Sequence, residues 1–162
     1  ELDDLELRVD RHCMNLLLLN KPYAQDYRFV FSAVKISREL ERVGDQAKTI
    51  AKWSLKLKGV PGPDMMALGR KVREALSTAI QALVDSDADL ATRVMSIEFQ
   101  VDEIEDRIID SAPSLPEAFI AKALERIGDL ATNMAESVIF TVRAEDIRHT
   151  DATLRPRQIP TS

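Results

Sequence analysis

Pairs of carboxylates set one helical turn apart recur along this chain, and each pair is a candidate for holding a hard cation. Glu41 and Asp45 stand in "LERVGDQAKTIA", Leu40 to Ala51, while Glu125 and Asp129 take the same places in "LERIGDLATNMA", Leu124 to Ala135. Glu98 and Asp102 repeat the spacing, with Glu105 and Asp106 a turn further on, and Asp3 and Glu6 occupy the places of Asp102 and Glu105 in the first half. Residues at i and i+4 share a helix face, so such acids repel each other by a few tenths of a kcal/mol. Two acidic flanks on neighbouring helices gather oxygen donors of the kind that take magnesium, manganese, calcium or iron. The plainer alternative is a solvated acidic face offset by Arg38, Arg42 and Lys48, the common fate of a single Glu-x-x-x-Asp. Its repetition in both halves favours the cation. Gly44 and Gly128 lie mid-helix between each Glu and Asp, where glycine costs roughly 1 kcal/mol against alanine. The same penalty taken twice points to a close approach at the backbone, by a neighbouring helix or by a bound group.

Other chemistry is poorly supplied. The chain has no Gly-rich phosphate loop, no His pair at metal spacing and only two histidines, His12 and His149. His12 adjoins Cys13, and consecutive helical side chains do not face each other, which argues against a Cys/His nucleophile. His149 suits a cation at a helix C-terminus. A carboxylate-only pair of metals can hydrolyse phosphate esters, but no general acid or leaving-group stabiliser can be named. Net charge is −5, and no Lys/Arg run with interleaved aromatics occurs, so nucleic acid is not an expected partner. The single cysteine cannot form an internal disulfide, and among Met14 and Leu16 to Leu19 it reads as a buried, inert thiol of a reducing compartment, the cytoplasm. The longest apolar run, Leu16 to Leu19, falls far short of the roughly 18 residues of a membrane span.

Helices must position these residues. The composition is 30% charged with few aromatics, which favours an all-α fold. Apolar spacing predicts a helix over Leu2 to Leu19, broken at Asn20-Lys21-Pro22, and a second, capped by Asp26, running to about Leu57. "GVPGPD" is the linker. Helices follow over Met66 to Val84, Leu90 to Ile109 and from Pro116, at the first helical position, to about Arg143. "LDDLELRV" matches "VDEIEDRI", and each precedes its own copy of the Leu-Glu-Arg phrase. The order predicts tandem pseudo-symmetric three-helix bundles: residues 1–59 as the first repeat, with two of its three helices, 60–149 as the second, and 150–162 as a flexible tail. The face left open by the absent helix exposes Val9 and Ile36, to be covered by upstream chain or by a second copy in a homodimer.

"SRELERVGDQAKTIA" and "KALERIGDLATNMAE", each behind a Val-Asp-x-Ile-Glu type helix, together with "AEDIRH", resemble the PhoU family of phosphate-uptake regulators from Leu2 to His149. The resemblance implies a pair of three-helix bundles and surface clusters of divalent or trivalent metal ions. The matching motif positions are Glu41 and Asp45, Glu98 and Asp102, Glu125 and Asp129, and Asp3, whose partner falls upstream of Glu1. It further implies a non-enzymatic cytoplasmic adaptor. Such a protein represses the phosphate-starvation response through contact with the ATPase of a phosphate ABC transporter and a sensor histidine kinase, reaching the membrane only through partners. The alternatives are a metal-free helical scaffold and, behind it, a metal-dependent phosphohydrolase.

Overall fold

The computed structural model describes residues 1–20 and 23–147. They form α1 (Leu2–Asn20), α2 (Ala24–Ser54), α3 (Pro63–Asp85), α4 (Ala88–Asp110) and α5 (Leu115–Arg143), with no strand among them. His149 and the expected tail, 150–162, lie outside the described residues.

Local chemistry explains the helix ends. Asp87 caps α4 by accepting from the backbone N–H groups of Asp89 and Leu90, both at 2.9 Å. Before α5, Glu117 reaches back so that the Ser114 N–H and hydroxyl both donate to its Oε2, at 2.9 and 2.6 Å. Helices α3 and α5 end on Ser86 and Ala144 with φ of 52° and 58°, the left-handed turn that closes a helix C-terminus. Two expected details shift. The chain enters α2 from extended Tyr23, leaving Asp26 inside the first turn rather than as the cap, where its charge still suits the helix dipole. Helix α5 begins at Leu115, so Pro116 is its second residue.

Helices α3, α4 and α5 pack against one another, and α2 lies along α5. The apolar stripe of α4, Val94, Ile97, Val101, Ile104 and Ile108, is buried throughout, facing Leu68, Val72 and Ala79 of α3 and Ile127, Ala131 and Met134 of α5 in one continuous core. The corresponding stripe of α2 is only partly covered: Ile36 is buried, Leu40, Val43 and Ile50 are half-buried, and Ala47 is exposed. Among the described helices α1 touches α2 alone, and Leu2, Leu5 and Leu16 are exposed. Its Cys13 is 6% exposed and points its thiol at the Val30 carbonyl, 3.8 Å away.

Helices α2 and α5 run antiparallel. Near one end Ser32 donates to the Ser137 carbonyl (3.3 Å) and accepts from the Thr141 hydroxyl (2.7 Å), while at the other Trp53 stacks flat on Phe119 with centroids 4.2 Å apart. The two copies of the repeated phrase therefore meet near the middle of the molecule in opposite directions, the arrangement of an internal twofold. The glycines have a packing explanation. A Cβ on Gly128 would lie 3.2 Å from Val101 Cγ1, and one on Gly44 would collide with Leu2 Cδ1. Leu2 and Val101 open the matching phrases "LDDLELRV" and "VDEIEDRI". Each glycine admits the same side chain of the preceding helix, and a bound group is not needed to explain it.

Candidate functional site

In the second half, α4 and α5 bring their acidic flanks together. Asp102 is held above the ordinary carboxylate range by partial burial and by the negative charges of Asp129, Asp106 and Glu105. Glu125 is raised in the same way, by desolvation first and then by Asp129, Glu105 and Asp102. Asp129 is raised by desolvation, against the lowering pull of Lys122 and Arg126. Glu105 goes further inside than its place on a flank suggested. Only 4% of it is exposed, and its Oε1 lies 3.1 Å from Lys122 Nζ as an ion pair without the geometry of a hydrogen bond. Glu98, half-buried, occupies the turn before Asp102 on α4.

The first half builds a lighter version of the same arrangement. Asp3 and Glu6 of α1 lie near Glu41 and Asp45 of α2, and Glu41 is raised by desolvation and by the charges of Asp45, Asp3 and Glu6. Asp45 moves the other way, because Lys48 donates to its carboxylate at 2.8 Å. Arg38 Nε stands 3.6 Å from Glu6 Oε1, matching the Lys122 and Glu105 pair of the second half. The first cluster is more open because α1 packs on α2 alone.

Lys122 is the residue beside the acids that their pattern passed over. Its signal was present: the phrase is preceded by "SRE" in one half and "AKA" in the other, with Arg38 and Lys122 at the same place. Chemically the donor set suits a hard cation, but the buried Glu105 Oε1 already faces the Lys122 ammonium. Among the described residues, however, no three His, Cys, Asp or Glu side chains stand close enough to hold a metal ion. The acids of each cluster sense one another's charge, and a lysine ammonium is the cation nearest to them.

Comparison with known proteins agrees with this architecture. The sequence profile of the PhoU domain matches residues 1–54 and again 65–138. The phosphate-specific transport system accessory protein PhoU homolog of Caulobacter vibrioides is 35% identical over 90% of this chain and 71% of its own length. That of Zymomonas mobilis is 34% identical over 91% and 69%. The crystal structure of PhoU from Pseudomonas aeruginosa superposes with a TM-score of 0.80 at 28% identity, covering 89% of this chain and 77% of that one.

Proposed function

Since this chain belongs to the PhoU domain family, we propose that it acts in phosphate transport as a non-enzymatic, cytoplasmic regulator. It restrains the phosphate-starvation response by contact with the ATPase of a phosphate ABC transporter and with a sensor histidine kinase. On this reading residues 1–59 and 60–149 are its two repeats. The observation that carries it is the doubled phrase: both copies sit at matching places of α2 and α5, each with its acids beside a further acidic helix. In a bacterium deprived of its own PhoU homologue, the chain is expected to restore repression of a phosphate-starvation reporter in phosphate-rich medium. A reporter that stays fully on overturns the reading.

The acids supply the regulatory element. Asp102, Glu105, Glu125 and Asp129, with Glu98 a turn away, are the residues to hold a divalent or trivalent cation in the second half, and Asp3, Glu41 and Asp45 in the first. A bound cation would neutralise a repulsive surface and so change which partner surface docks there. Glu125 and Asp129 changed together to Ala should lower bound manganese per chain in elemental analysis, and unchanged stoichiometry would remove the second site. The metal-free scaffold is favoured by one observation, the Lys122 ammonium already placed on Glu105. A bound metal raises the melting midpoint and a chelator lowers it, whereas a bare scaffold melts alike in both.

A further inference from the structure

A groove of about 360 Å³ opens between α2 and the first turns of α5, bordering the second acidic cluster, whose counter-ion Lys122 is one of its lining residues. Leu115, Ala118 and Phe119 give it apolar walls, Thr49 closes it from α2, and Lys122 and Arg126 stand on its rim. No carboxylate is among its described lining residues; of the two rim cations, Lys122 is paired with Glu105 at 3.1 Å, while Arg126 is close enough to Asp129 to pull its pKa down but makes no contact as short as an ion pair among the described residues. Behind Phe119 lies Trp53, with Lys56 Nζ 4.2 Å over the indole ring. In a chain of net charge −5, an apolar slot edged by cations is complementary to a ligand with an apolar centre and negative flanks. A small inorganic anion suits it poorly, because its water would be stripped against apolar walls.

We propose that this groove docks an acidic, amphipathic segment of a partner protein. One aromatic or branched apolar side chain of that segment enters between α2 and α5, and its carboxylates meet Lys122 and Arg126. The apolar insertion supplies affinity, and the charge pairs fix direction and register.

The single tryptophan of the chain makes occupancy readable, since its stacking partner Phe119 lines the groove. The probe is a labelled synthetic peptide with a central phenylalanine and leucine flanked by glutamates. Its counterparts carry lysine in place of each glutamate, or serine in place of the apolar pair. The acidic peptide is expected to bind in fluorescence anisotropy and to shift Trp53 emission, with both counterparts at least about tenfold weaker. Arg126→Glu and the groove-filling Ala118→Phe should each weaken it by a similar factor. Arg73→Glu, the same charge change on α3, which does not touch α2, should leave it unaltered. Circular dichroism and melting establish that each variant is folded. The proposal is overturned if the lysine peptide binds equally well or if Arg73→Glu weakens binding as much as Arg126→Glu. Binding that survives both groove variants, or inorganic phosphate alone reproducing the Trp53 shift, overturns it too.

Discussion

A carboxyl group held above its ordinary pKa is one whose charge the fold resists. Asp102, Glu125 and Asp129 are all in that position, so their contribution to stability is present below the ordinary carboxylate range and is lost as pH rises through their folded values. Without added metal, Glu125→Gln is therefore expected to stabilise the protein at pH 7 by a few tenths of a kcal/mol. The melting midpoint should rise by about 1 °C, and the gain should vanish when the melt is repeated near pH 4. Glu117 behaves oppositely. The Ser114 hydroxyl and N–H that donate to it hold its pKa down, so its contribution is present above the ordinary range and lost as pH falls through the folded value. Ser114→Ala should cost about 1 kcal/mol in denaturant unfolding at neutral pH. The acids themselves could be picked from spacing alone. The depth of Glu105 could not, because a helix face known only from periodicity does not reveal how closely the next helix lies against it.

Among the elements, the repeated glycines mark where α1 crosses α2 and where α4 crosses α5. Alanine at Gly128 gains roughly 1 kcal/mol of helix propensity but presses on Val101, which is 1% exposed and has nowhere to move. Overpacking costs about 1–3 kcal/mol, so Gly128→Ala should destabilise by about 1 kcal/mol net. At Gly44 the clashing atom is the end of an exposed Leu2 side chain, which can turn aside. Gly44→Ala should be neutral or stabilising by up to about 1 kcal/mol, and a pair of urea titrations distinguishes the two. Element order and type were legible because five periodic segments are separated by Pro, Gly and Asp clusters. What spacing left open was the choice between a packed helix and a bound group at the glycines, and only the positions of Leu2 and Val101 decide it.

At the scale of the molecule, the two halves share a pattern but not a degree of burial. The second repeat closes a core with three helices, whereas the first leaves the stripe of α2 half-covered and most of the apolar side of α1 in solvent. The proposed metal response should follow that difference. Manganese is expected to raise the melting midpoint of the protein, and the rise should be lost in the Glu125→Ala/Asp129→Ala variant more than in Glu41→Ala/Asp45→Ala. Differential scanning calorimetry with and without chelator checks this, and equal loss in both variants would place the two clusters on a par. The doubling itself was plain in the sequence. The lysine that answers the acids was marked only by sharing its place with Arg38 ahead of the phrase, which the spacing of the carboxylates does not single out.

The buried sulfur of α1 offers a clock for motion in this asymmetric body. Cys13 lies between α1 and α2, and burial together with the nearby Asp10 charge keeps its thiol reluctant to ionise. An aromatic disulfide reagent should therefore modify it only during moments when α1 lifts away. Because α1 has a single neighbour among the described helices, those moments should come far more often than global unfolding, and the labelling rate would count them one by one.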